Sequence, residues 1–175
     1  MEKKSLISSR YVISKRDKRQ LLQKINKYYK GKILEYISSA RKVEVVKTRI
    51  EGIVIIMVNS RPLLFSIKDK FVPTVIGYIK YGLDLDIPRI YVDSGAVPHI
   101  LNGADIMAPG IVRASKEFDK GEIVYVGEDE TDRIFSVGET LMSYKEIFDI
   151  RRGKAIKNLH YAGDKIWKLI INELL

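Results

Sequence analysis

The stretch Tyr91-Val-Asp-Ser-Gly-Ala-Val-Pro-His-Ile-Leu-Asn-Gly-Ala-Asp-Ile-Met-Ala-Pro-Gly110 decides how the chain is read. It opens as a strand that stops at Ser94-Gly95, continues as a short amphipathic helical turn, and closes on two small-residue corners. These are Asn102-Gly103-Ala104 and Ala108-Pro109-Gly110. Glycine permits positive φ and lets a second backbone approach closely, so paired glycine corners beside a strand predict a surface made for main-chain contact.

Downstream of this stretch the sequence is short strands and turns. Ile90 to Asp93, Ile111 to Ala114, Glu122 to Val126 and Arg133 to Val137 are apolar or alternating, with Gly110, Asp119-Lys120-Gly121, Gly127 and Gly138 between them. Such spacing predicts a small barrel. Ala155 to Tyr161, the turn Ala162-Gly163-Asp164, and Ile166 to Ile171 read as a closing hairpin.

Upstream the texture changes. Residues 5–13 alternate loosely and predict an edge strand. Ser14 and Asp17 then start a helix, in which Leu21, Leu22, Ile25, Tyr28 and Tyr29 share one arc. Lys15, Arg16, Arg19, Lys24, Lys27 and Lys30 cover the opposite side, while Lys18 intrudes on the apolar arc. Gly31 interrupts the helix, which Ile33 to Ser39 resume. Val43 to Arg49, Ile53 to Val58 and Leu63 to Ile67, separated by short turns, predict an antiparallel meander. Pro73 suits the first turn of a further helix, and residues 82–88 read as a connector. The expected fold is an α+β domain over residues 1–85, followed by a small, mostly-β pseudo-barrel over residues 89–175.

The charge is divided along the same line. Net charge is +9 overall, with 19 Lys/Arg against 8 Asp/Glu in residues 1–88 and 12 against 14 in the remainder. A basic front half points to an anionic partner, most simply nucleic acid, although basic side chains also serve solubility alone. With no cysteine in the sequence, disulfides and thiolate metal sites are excluded, which fits a reducing, cytoplasmic setting. The longest apolar run, Ile53 to Val58, is too short to cross a bilayer, so no membrane association is expected.

The second half resembles a PUA domain, a small RNA-binding barrel. The resemblance rests on Val92-Asp93-Ser94-Gly95-Ala96, Leu101 to Ile111, Phe118 to Val124, Ser136-Val137-Gly138 and Arg152-Gly153-Lys154-Ala155. A wider resemblance is to the malignant T-cell amplified sequence family. It rests on Phe71-Val72-Pro73-Thr74, Gly103 to Gly110, Asn158-Leu159-His160-Tyr161, Asp164 and Trp167. It implies a pre-PUA domain before the PUA pseudo-barrel and a role in translation initiation, re-initiation or ribosome recycling. The partners it implies are structured RNA (tRNA or rRNA), the small ribosomal subunit and a translation-factor protein. The absent cysteines and the strongly basic N-terminal helix depart from that family.

No catalytic pattern is expected. His99 and His160 lack metal-ligand spacing, no phosphate-binding glycine loop is present, and Asp93-Ser94-Gly95 has no base to make it a nucleophile turn. No metal or cofactor is predicted, and Asp93 and Asp105 read more simply as turn or cap carboxylates. The PUA resemblance implies an RNA groove at Gly103, Ala104, Asp105, Met107, Pro109 and Gly110. Arg113, Lys116, Lys154 and Lys157 are its candidate phosphate ligands, and His160 a candidate for base stacking. Lys15, Arg19 and Lys27 form a secondary basic face. The expected function is non-enzymatic RNA binding to tRNA acceptor ends or small-subunit rRNA. Two rivals are an accessory subunit guiding a separate RNA-modification enzyme and a module docking a translation factor.

Overall fold

Two hairpins with two-residue turns order the front of the chain. Asn59 and Ser60 (φ 49° and 64°) and Lys68 and Asp69 (φ 47° and 64°) all take the left-handed conformation that matches strand twist. The computed structural model describes residues 4–175. The meander is β1 (Ile7–Val12), β2 (Val43–Thr48), β3 (Val54–Val58), β4 (Arg61–Ile67) and β5 (Lys70–Pro73), five antiparallel strands in chain order. The final strand, β5, is additional to the expected meander. It takes up Pro73, so Thr74 rather than proline starts the next helix, accepting a bond from Gly77 N–H through its hydroxyl.

The basic helix α1 (Lys15–Ile25) starts as expected, with the Ser14 side chain accepting from Asp17 N–H. It stops at Ile25, short of the tyrosines: Tyr29 is buried, whereas Tyr28 is exposed and meets Phe71 edge-on. Helix α2 (Lys32–Ser38) follows Gly31, and α3 (Val75–Tyr81) packs on β4. Lys18, out of place in the helical pattern, donates from Nζ to the carbonyls of Ser38 and Ala40 at 2.7 and 2.9 Å. It thereby caps the C-terminus of α2, where cations are favoured.

The chain divides into two units: residues up to Asp86 together with Leu169–Leu175, and Ile87–Lys168. The C-terminus therefore departs from the expected reading in two ways. Ile166 to Ile171 is not a strand: α6 (Lys165–Leu169) starts there because the Asp164 carboxylate accepts from Trp167 N–H at 2.8 Å, and a π-helical turn, Ile170–Leu174, follows. Leu169–Leu175 also groups with the first unit rather than the barrel. There the Glu173 carboxylate accepts from Leu6 N–H and from the Ser5 hydroxyl.

The second unit is a six-stranded curled sheet. Its strands are β6 (Arg89–Val92), β7 (Ile106–Met107), β8 (Ile111–Ala114), β9 (Ile123–Glu128), β10 (Ile134–Thr140) and β11 (Lys154–Tyr161), in the order β7-β11-β10-β9-β6-β8. Only β6 and β9 run parallel. Ile90, Ile100, Ile106, Val124, Ile147 and Ile156 belong to its core. Gly138 sits at a bulge of β10 facing β11; a Cβ there would collide with Ile156 and stand 2.7 Å from the Lys157 carbonyl oxygen. Helices α4 (Val97–Ile100) and α5 (Tyr144–Ile150) complete the unit. Helix α5 was not anticipated, although Ser143 and Glu146 form a complete capping box ahead of it.

Candidate nucleic-acid interface

The first glycine corner is a helix stop. Gly103 has φ 92°, its N–H bonds the Ile100 carbonyl at 2.9 Å, and Ala104 N–H bonds the His99 carbonyl at 3.0 Å. This pair of bonds is a Schellman motif ending α4, with glycine at the left-handed position. The N–H groups of Gly103 and Ala104 therefore point back into the helix and are not presented to a ligand. The positive φ at Gly103 serves the chain's own turn.

Asn158, on the neighbouring strand, fixes this corner. Its Nδ2 donates to the carbonyls of Ile100 and Ala104, both at 3.0 Å, and its Oδ1 accepts from the Ser136 hydroxyl at 3.0 Å. Its backbone N–H donates to Asp105 Oδ1 at 2.8 Å, and Lys154 Nζ reaches Asp105 Oδ2 at 2.8 Å. Burial works against ionisation of Asp105, but the Lys154 ammonium and the Asn158 N–H outweigh it and hold the carboxyl below its ordinary range. Asp105 is thus a strut between loop and strand. The role of Asn158 follows from four bonds that join positions distant in sequence, which no local motif reveals.

The second corner carries a 3-10 turn, Ala108–Gly110, with Ala108 N–H bonding the Gly153 carbonyl and the Gly110 carbonyl accepting from Asp93 N–H. Asp93 Oδ1 accepts from Ala96 N–H, as a turn carboxylate does. Between the two corners lies an open groove of about 420 Å³, lined by Ala96, His99, Ile100, Ala104, Asp105, Ile106, Met107, Gly110 and Lys154. Ile106 is buried in the floor, while Met107 is 49% exposed and His99 stands at the edge. Pro109 is exposed beside Gly110. The groove gathers Ala104, Asp105, Met107, Gly110 and Lys154 of the expected site, and adds His99.

Other expected ligands are engaged elsewhere. The Arg113 guanidinium bonds Asp129 at 2.5 Å and Asp132, and lies 3.7 Å from the centre of the Tyr91 ring. The Asp132 and Asp129 carboxylates raise its pKa further, so Arg113 braces its own sheet rather than offering an unpaired charge to phosphate. His160 is fully buried, with Nδ1 2.8 Å from Asp164 Oδ2, and no base can stack on it. Asp164 feels burial first, yet bonds from His160, Trp167 N–H and Tyr161 N–H keep it ionised below its ordinary value. Lys116 lies past the end of β8 and not on it, and Lys157 is an exposed residue of β11 opposite Glu139. On the first unit, Lys15, Arg19 and Lys27 are all exposed.

Comparison with known proteins bears on both units. Residues 88–162 match the PUA domain, and residues 9–81 match a domain of unknown function, DUF1947. The chain is 31% identical over 146 residues to the malignant T-cell-amplified sequence 1 homolog of Dictyostelium discoideum, covering 80% of this chain and 79% of that one. The chain belongs to this family. Within the family's reach are also an uncharacterized protein of Methanocaldococcus jannaschii, 37% identical over 92% of this chain and 96% of its own, and the translation machinery-associated protein 20 of Saccharomyces cerevisiae. The yeast protein is 26% identical over 94% of each chain. A crystal structure of a hypothetical protein from Pyrococcus horikoshii superposes with a TM-score of 0.78 at 35% identity, covering 92% of this chain and 99% of the other. Among the described residues, the structure has no helix long and apolar enough to cross a membrane and no His/Asp/Glu cluster suited to a metal.

Proposed function

We propose that this malignant T-cell-amplified sequence family member is a non-enzymatic RNA-binding protein of the translation apparatus. It holds a tRNA acceptor end or a segment of small-subunit rRNA in the groove between its two glycine corners, and acts in initiation, re-initiation or recycling. The observation that carries the reading is the groove itself. It is a trough with an apolar floor, an exposed thioether at Met107, an imidazole at His99, and a single ammonium at Lys154 tethered by Asp105. An unpaired base can lie against such a floor, with its ribose and phosphate at the polar rim. The basic face of α1 supports the reading by adding sequence-independent attraction.

Filter binding of tRNA with and without its CCA end tests this. The expected result is weaker binding of the truncated tRNA, and affinity that falls steeply as salt is raised from about 50 to 200 mM. Undetectable binding, or binding indifferent to salt, overturns the proposal.

A further inference from the structure

A second groove lies on the first unit, between α1 and the sheet it covers. It holds about 260 Å³ and is lined by Tyr11, Ile13, Asp17, Gln20, Leu21, Lys24, Val45, Ile56, Ser66 and Phe71. The strand register explains its shape. Tyr11 pairs with Val45 and Val45 with Ile56, so one apolar row crosses β1, β2 and β3, and Phe71 on β5 pairs with Ser66 on β4. On α1 Ile25 is fully buried, but the earlier turns present Asp17 and Gln20 towards the groove, with Leu21 only half-buried. The result is a slot with an apolar floor and a polar lip, open at the edge strand. Tyr11 is 44% exposed there, and Lys47 Nζ lies 5.7 Å from the centre of its ring.

We infer that this slot takes one unstacked base of single-stranded RNA, with Tyr11 as its stacking platform and α1 holding the flanking phosphates. The inference rests on the RNA-binding reading above and gives the first unit a base-holding site of its own. Charge selects the occupant. Residues 15–32 carry eight Lys/Arg against one acid, Asp17, and that carboxylate already accepts the Ser14 hydroxyl at 2.8 Å. Arg16, Gln20 and Lys24 recur at four-residue spacing, which puts them in one row along the helix. Gln20 can donate to and accept from a base edge, while Lys24 and Arg16 reach phosphates on either side. An apolar peptide would fit the floor but would gain nothing from this row of cations. A flat aromatic ring on a polyanionic backbone uses both.

The test uses the full chain and a short fluorescent oligouridylate. Loss of one base–aromatic contact predicts roughly 5- to 30-fold weaker binding for Tyr11→Ser, with most of the affinity restored in Tyr11→Phe. Lys24→Gln should flatten the dependence of log affinity on log salt by about 0.7. Photocrosslinking of the unaltered protein to a 4-thiouridine oligonucleotide, independent of any effect on folding, should give an adduct on the peptide containing Tyr11. Crosslinks confined to the second unit, or affinity unchanged by Tyr11→Ser while Met107→Ser weakens it, overturn this inference and leave the proposed function standing. An unaltered protein that binds no RNA overturns both.

Discussion

The glycine corner of the second unit and the basic helix of the first handle charge in opposite ways. In the second unit, several of the charged groups that stand out in the sequence are tied to partners: Asp105 to Lys154, Arg113 to Asp129 and Asp132, His160 to Asp164. Along α1 and the turn that follows it, Lys15, Arg16, Arg19, Lys24 and Lys27 form no ion pair among the described residues. A paired charge fixes the shape of a groove, whereas an unpaired one supplies long-range attraction. The two regions are therefore complementary in kind: one provides form with little net field, the other adds an unpaired positive field.

The sharpest way to break that contrast is to reverse the field. The triple variant Lys15→Glu, Arg19→Glu, Lys27→Glu is expected to lose RNA affinity on the order of 100-fold at low salt and to flatten the salt dependence by about 2. Its melting temperature should stay nearly unchanged, because all three side chains are exposed. Unchanged affinity would reduce this face to ordinary solvation. Asn158→Ala should do the reverse. It strips the carbonyls of Ile100 and Ala104 of their side-chain donor and is expected to destabilise the second unit by about 2 kcal/mol in denaturant titration.

Much of this contrast was legible in the sequence, for physical reasons that differ by region. The amphipathic period of α1, its Ser14 cap and its cations are local properties, and the structure keeps them. The meander was visible up to β4, but β5 is four residues long and contains a proline, so it lacks a period of its own. The misread tail shows the limit of apolar runs. Ile166 to Ile171 suits a strand or a buried helix equally, and the Asp164 cap decides between them. The partners of Arg113, Lys154 and His160 were not legible. Lys154 meets Asp105 across 49 residues, a juxtaposition set by the sheet order and not by any local spacing.

The pairing of His160 with Asp164 gives the comparison a pH test. Asp164 is held below its ordinary value of 3.8, so the stability it contributes is complete above that value and disappears as pH falls through the folded-state value. Unfolding followed from neutral to acid pH should show Asp164→Asn to be less stable than the unaltered protein at neutrality by about 1 kcal/mol. The gap should close at the acid end. A gap independent of pH would mean that ionisation of Asp164 contributes nothing to stability.

The smallest expected effect separates the two glycines that the sequence treats alike. Gly103 occupies a left-handed position, and a Cβ there would stand 3.2 Å from the Tyr161 hydroxyl oxygen. Gly103→Ala should therefore cost about 1 kcal/mol of stability through backbone strain alone. Gly110 has no positive φ, and its Cβ would meet Ala96 Cβ at 3.5 Å, an ordinary contact, so Gly110→Ala should change stability by less than about 0.5 kcal/mol. Gly110, however, lines the groove, and the added methyl narrows it. The expected outcome is a variant that folds normally but binds RNA a few-fold more weakly, while Gly103→Ala loses affinity only in proportion to its loss of stability. If the two variants lose affinity equally without unfolding, both corners touch RNA. If Gly110→Ala loses none, the base sits closer to Met107 and the upper corner belongs to the fold alone.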